Sequence, residues 1–313
     1  MHSPNGFVDL QVNGYADVDF NADVLNAESV AAVCGRLRSE GVAGILATVI
    51  TADIPSMCRR LTNIVRVRDA DSGIANMIWG IHIEGPFLNE ETGYIGAHPK
   101  DCARPANLDD AKKLLAAAGG LTKIVTLAPE RDAGNRVTEF LAGQGVCVSA
   151  GHCNPTLDQL RASIDAGLAM FTHLGNGCPG QLPRHDNIIQ RVLSVSDRLH
   201  IGFIADGVHV PFFALANYLK CCGLDRAFVV TDAICGAGQG PGEYSLGNRR
   251  VVIDENLATW SADCSHLVGS AGTMRRSEEN LRVSLGLSDA QIQQLLCDNP
   301  RRILAALSPA NAG

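Results

Sequence analysis

The sequence predicts an α/β fold of the closed (β/α)8, or TIM-barrel, type, and three observations predict it. Eight apolar runs of strand length alternate with amphipathic helical patterns along most of the chain. Near-continuous apolar strands between helices mark a parallel sheet covered on both faces. The 313 residues suit one large barrel with its connections. An open doubly wound sheet fails a simple test. No Gly-x-Gly-x-x-Gly follows the first run, and no Gly-Lys-Ser/Thr phosphate loop occurs.

In chain order, strands are expected over 6–13, 42–51, 77–84, 121–128, 146–152, 169–176, 200–206 and 227–232. Helices are expected between them over 27–39, 55–67, 108–118, 134–143, 156–166, 187–195 and 210–222. The pair Asp109-Asp110 sits at a helix start, where the dipole favours carboxylates. The glycine-rich stretch 236–242 reads as a mobile loop after the eighth strand. Residues 250–260 read as a hairpin around Asp254-Glu255-Asn256. Helical patterns over 273–285, 288–297 and 300–307 follow. Ser288 with Gln291 is a capping-box signature. Asn299 is expected to cap the last helix, with Pro300 at its first turn. No repeat or linker interrupts the chain, so residues 1–313 are expected to form a single barrel with C-terminal helices.

Composition narrows the function. Hydrophobic residues make 46% of the chain and charged residues 19%, as in folded globular proteins. The net charge of −7, without a basic run, argues against nonspecific nucleic-acid binding. The longest apolar runs, such as 42–50, are too short to cross a membrane. The first residues lack a basic region followed by an apolar one, so no secretory signal is expected. Eleven cysteines lack any Cys-x-x-Cys spacing and read as buried thiols in a reducing cytoplasm. Cys153 and Cys178 stand out because they lie near histidines.

Active-site residues of a barrel project from the C-terminal ends of its strands. Here strand one ends in Gln11 and Asn13, strand three in Glu84, strand five in His152 and strand six in His173. Strand seven leads to Asp206 and His209, and strand eight ends in Asp232. Glu84, His152, His173 and Asp232 would converge on one axis, which is costly unless they bind something. Two imidazoles and a carboxylate leave an open position, the pattern of catalytic zinc. The second carboxylate can then act as general base.

The chain resembles the amidohydrolase superfamily and, within it, the N-acetylglucosamine-6-phosphate deacetylases. The resemblance rests on seven ordered stretches between residues 6 and 274. They are GFVDLQVNG from Gly6, HIEGPFLN from His82, SAGHCN from Ser149, THLGN from Thr172, ADGVH from Ala205, VTDA from Val230 and VGSAGTM from Val268. The resemblance implies that Glu84, His152 and His173 hold one divalent metal, Zn2+ before Fe2+, Co2+ or Mn2+, and that Asp232 is the acid/base. Gln11 and Asn13 stand where many amidohydrolases carry a His-x-His pair. Neutral amides are poor zinc ligands, so a second metal site is expected to be absent or weak.

The resemblance also implies substrate contacts at Ala97, Asn176, Gly177, His209, Leu267, Val268 and Gly269. Arg184 is expected to reach the substrate phosphate of a neighbouring subunit in a homodimer. The implied reaction hydrolyses N-acetyl-D-glucosamine 6-phosphate to D-glucosamine 6-phosphate and acetate. N-acetylgalactosamine 6-phosphate or another N-acylated amide is the alternative substrate, and a non-catalytic binding barrel the alternative class. Three departures stand out. The flanking β-sandwich usual in the family is not expected within these residues. The loop 178–187 around Arg184 differs from the usual pattern. The loop carrying His98 differs in length.

Overall fold

The computed structural model describes residues 6–246, 249–264 and 266–307. Eight parallel strands lie side by side in chain order. They are β1 (Phe7–Val12), β2 (Val42–Ile50), β3 (Ile78–Glu84), β4 (Thr122–Leu127), β5 (Cys147–Ala150), β6 (Leu168–Phe171), β7 (His200–Ile204) and β8 (Ala227–Val230). Each falls inside an expected strand except β6, which starts one residue before its expected range, and β1 and β8 meet to close the barrel. Val12 bridges Ala233 in parallel, and the Asn13 amide donates to the Ala233 carbonyl at 2.8 Å.

Below that bridge, one buried carboxylate spans the seam. Asp9 Oδ2 accepts from the Thr231 hydroxyl at 2.5 Å, and Oδ1 accepts from the Thr231 and Gln11 amides, each at 3.2 Å. Burial pushes the Asp9 pKa up to about 7, against hydrogen bonds that favour its charged form. The folded chain therefore retains a proton that the unfolded chain releases near pH ~4. Stability is expected to fall as pH rises from about 4 to about 7, and Asp9→Asn should flatten that part of the profile. Urea midpoints measured across this window test the assignment. Equal slopes in the two proteins would contradict it.

Helices cover the outside of the barrel, and short polar residues start most of them. Asn26, Asp53, Asn107 and Asn187 each accept a first-turn amide, and Thr156 with Gln159 forms a full capping box. The lower barrel interior is apolar, with Val8, Leu10, Leu46, Ile124, Met170 and Phe228 in one cluster with Ile303.

Several details differ from expectation. A short helix, Ser72–Met77, precedes β3, capped by Asp71. Asn299 does not cap a helix. The chain stays helical from Asp289 to Ala305 through a π-helical turn at Gln294–Asp298. That wider turn accommodates Pro300, which has no amide hydrogen to donate. The Asn299 side chain instead donates to the Leu224 and Ala227 carbonyls at 2.7 and 2.6 Å, tying the helix to the start of β8. The Ser288–Gln291 capping box is present as expected.

The stretch after β8 also departs from a simple loop. It turns at Gly236–Gly240 and enters an antiparallel sheet of β9 (Gly242–Leu246), β10 (Arg249–Ile253) and β11 (Thr259–Ser261). The expected hairpin joins β10 to β11. Asp254 organises its turn by accepting from the Asn256 and Ala258 amides and from the Trp260 indole. The described residues thus form an eight-, a three- and a two-stranded sheet, with no β-sandwich among them. No described helix is long and apolar enough to cross a membrane.

Candidate active site

The expected residues meet at the C-terminal mouth of the barrel. Glu84 is the last residue of β3, while His152, His173 and Asp232 follow β5, β6 and β8 by two residues. These three adopt left-handed backbone, with φ of 51°, 34° and 52°. That region is unfavourable for residues with a Cβ and persists where surrounding bonds enforce it. Here Asn89 donates to the His152 carbonyl at 3.0 Å, and Ser270 to the Asp232 carbonyl at 2.9 Å. Each sharp turn swings a side chain inward over the barrel axis.

Three imidazoles surround the buried Glu84. His173 Nε2 lies 3.1 Å and His152 Nε2 3.4 Å from Glu84 Oε1. His98 Nε2 lies 3.9 Å from Oε2. Among the described residues, Glu84, His98 and His152 form the tight trio, with potential ligand atoms all within 4.8 Å of one another. His173 completes the ring from the other side, its plane at 90° to His152. His98 is the residue that sequence reasoning left without a role.

The donor set fits a divalent metal. His152 Nδ1–H donates to the Tyr94 carbonyl at 2.8 Å, which fixes the ring with Nε2 facing Glu84. Burial pulls the His98 pKa down to about 3, with help from the neighbouring His152, so His98 is neutral. Burial pushes Glu84 up, but hydrogen bonds from His152 and His173 hold it well below the carboxylate range. A charged carboxylate amid imidazoles is the protonation state a metal requires.

Above this cluster, Asp232 is held by two amides. Its Oδ1 accepts from Asn13 Nδ2 at 2.7 Å and from Gln11 Nε2 at 3.0 Å. Gln11 Nε2 also donates to Glu84 Oε2 at 3.2 Å. Burial raises the Asp232 pKa, and Glu84 adds to the rise. A buried hydroxyl chain forms the floor, linking His82 to Thr126 at 2.7 Å, Thr126 to Thr172 at 2.8 Å and Thr172 to Ser149 at 2.6 Å.

A cavity of about 590 Å³ opens over the cluster, within the range of small-molecule sites. Ala97, Asn176, Gly177, His209, Leu267 and Gly269 all line it, as expected. His209 Nδ1–H donates to Asp206 at 2.7 Å, which turns Nε2 away from that partner. Val268 does not line the cavity; it is 3% exposed and packs with Ile234, Leu246 and Val251, because neighbours along an extended segment face opposite ways. Arg184 is exposed and does not line this cavity.

Two glycines press against His152. A Cβ on Gly96 or Gly177 would come within 2.9 Å of the imidazole, and both have positive φ. Gly177→Ala is therefore expected to displace His152 and weaken divalent-metal binding about 10- to 100-fold. Competition with a chromophoric chelator measures this, and unchanged affinity would refute it.

Comparison with known proteins agrees with this geometry. No protein-family model matches the chain. An N-acetylglucosamine-6-phosphate deacetylase of Bos taurus is 33% identical over 311 residues, covering 96% of this chain and 73% of the relative. An N-acetylgalactosamine-6-phosphate deacetylase of Escherichia coli O157:H7 is 28% identical, over 95% of this chain and 77% of the relative. A Mycobacterium smegmatis N-acetyl-D-glucosamine-6-phosphate deacetylase variant, solved with N-acetyl-D-glucosamine-6-phosphate, matches with a TM-score of 0.86 at 29% identity. That match covers 96% of this chain and 77% of the solved one. The chain spans about three quarters of these proteins. Sequence and fold agree along nearly all of it, and the chain belongs to the N-acetylglucosamine-6-phosphate deacetylase family.

Proposed function

We propose that the chain hydrolyses the acetamide of N-acetyl-D-glucosamine 6-phosphate, releasing acetate and D-glucosamine 6-phosphate. One observation carries the reading: Asp232, its Oδ1 pinned by Gln11 and Asn13, faces the cavity beside a cluster of imidazoles around a carboxylate. Glu84, His152 and His173, with His98 beside them, would hold one divalent metal, Zn2+ before Fe2+, Co2+ or Mn2+. When bound there, such an ion polarises the acyl carbonyl and acidifies water.

The chain's own residues do the rest. Asp232 Oδ2 takes a proton from the attacking water as its oxygen bonds to the acetyl carbon. The C–N bond then breaks, and Asp232 returns that proton to the departing nitrogen. His98 and His209, both at the cavity wall, orient the acyl group and sugar. Asn176 and Gly177 contact the sugar, with Ala97, Leu267 and Gly269 on the facing wall. Gln11 and Asn13 spend their amides on carboxylates, which supports a single metal.

We place the enzyme in the cytoplasm, in keeping with eleven cysteines that lack any Cys-x-x-Cys spacing. A homodimer would bring the exposed Arg184 to a neighbour's cavity, with one surface used twice. Acetate release from a panel of N-acetylated sugars, with and without phosphate, tests the reading. Preference for the glucosamine phosphate is expected. Preference for N-acetylgalactosamine 6-phosphate would favour the second substrate, and no release from any would overturn the reading.

A further inference from the structure

Every barrel strand except β4 brings a residue at or soon after its end to the cavity lining. The connection after β4 instead carries Glu130, in a short turn over Pro129–Arg131. Glu130 Oε1 accepts from Asn89 Nδ2 at 2.9 Å and from the Asn154 amide. Asn89 lies on the connection after β3, and Asn154 follows His152 by two residues on the connection after β5. One oxygen thus joins the segments on either side of β4. From Asn89, two routes of hydrogen bonds reach His152. The Asn89 amide donates to the His152 carbonyl at 3.0 Å. Asn89 Oδ1 accepts from the Glu91 amide at 2.8 Å, and the Glu91 carbonyl accepts from the Tyr94 and Ile95 amides at 3.1 and 3.0 Å. The Tyr94 carbonyl then accepts from His152 Nδ1 at 2.8 Å. The left-handed backbone of His152 and its ring are therefore both fixed by one loop, and Glu130 anchors that loop.

Burial pushes the Glu130 pKa up, against the hydrogen bonds from Asn154 and Asn89. Its Oε2 is buried and has no hydrogen-bond partner among the described residues. A half-satisfied buried carboxylate is costly, so stability alone gives little reason to keep it. Groups that orient a ligand set its metal affinity, which gives a better reason. We propose that Glu130 is a positioning residue for His152, acting through Asn89 and Asn154 to hold the imidazole against Glu84. The inference rests on the reading of His152 as a metal ligand. It gives the strand that lends nothing to the cavity lining a part in the site.

The test compares the full chain as wild type, Glu130→Met and Glu130→Gln. Met is similar in length but has no oxygen, whereas Gln keeps an acceptor oxygen. Histidine nitrogen-15 spectra of the apoproteins report the Nδ1–H of His152, identified as the signal missing from His152→Gln. Chelator competition reports Zn2+ affinity. Glu130→Met is expected to lose the Nδ1–H signal to faster exchange with water and to weaken Zn2+ binding about 10- to 100-fold. Glu130→Gln should recover most of both. Asn89→Ala cuts the same link from its other end and is expected to match Glu130→Met. It decides the matter should Glu130→Met not fold. A residue that only stabilised the fold would lower the unfolding midpoint and leave both readouts at wild-type values, and that result would overturn the inference. In a wild type that binds Zn2+, a change in only one readout, or no recovery in Glu130→Gln, would overturn it too. A wild type that binds no Zn2+, but whose His152 signal depends on Glu130, keeps the positioning of His152 and sinks the metal reading.

Discussion

Asp232→Asn is expected to lower kcat by about 10³- to 10⁴-fold, at the upper end of what one acid–base group contributes. The upper end is expected because one carboxylate serves two proton transfers. The substitution is nearly isosteric, and its carbonyl oxygen can still accept from Asn13 and Gln11, which hold Asp232 Oδ1 at 2.7 and 3.0 Å. Metal content and KM should therefore stay near wild type. Single-turnover acetate release with parallel metal analysis separates the outcomes. Turnover close to wild type would remove Asp232 from the chemistry. A large loss of metal would recast it as a ligand.

His152→Ala is expected to have the other large effect, a loss of metal together with a drop in kcat/KM of more than about 10³-fold. His152 is 7% exposed, fixed by the Tyr94 carbonyl and edge-on to both His98 and His173, with ring centroids 4.4 and 5.0 Å away. Metal analysis after gel filtration checks the first part, and acetate release with excess added metal checks the second. Full activity with stoichiometric metal in this variant would mean that His152 is not a ligand.

The four strand-end residues were legible because barrel topology turns sequence position into place. A strand end lies at the mouth whatever its neighbours do, so Glu84, His152, His173 and Asp232 were found one strand at a time. His98 was not assigned a role, because it lies on the long β3 connection, where no periodicity says where the chain returns. Strand β9 escaped for the same kind of reason, because the glycines before it masked a strand whose residues alternate between exposed and covered. The Val268 side chain is buried between the lining residues Leu267 and Gly269, because the extended backbone sends alternate side chains to opposite sides. Asn299 and Pro300 imitate a helix start, and only the π-helical turn before them shows that the helix continues.

The most direct test is a metal titration of apoprotein. Chelator-treated protein is titrated with Zn2+ while acetate release from N-acetyl-D-glucosamine 6-phosphate is followed. Activity should rise from near zero and stop at one equivalent per chain, as the proposed single site at Glu84 and its imidazoles requires, with Gln11 and Asn13 hydrogen-bonded to Glu84 and Asp232. Full activity in rigorously metal-free protein, or a rise that continues to two equivalents, would contradict this assignment.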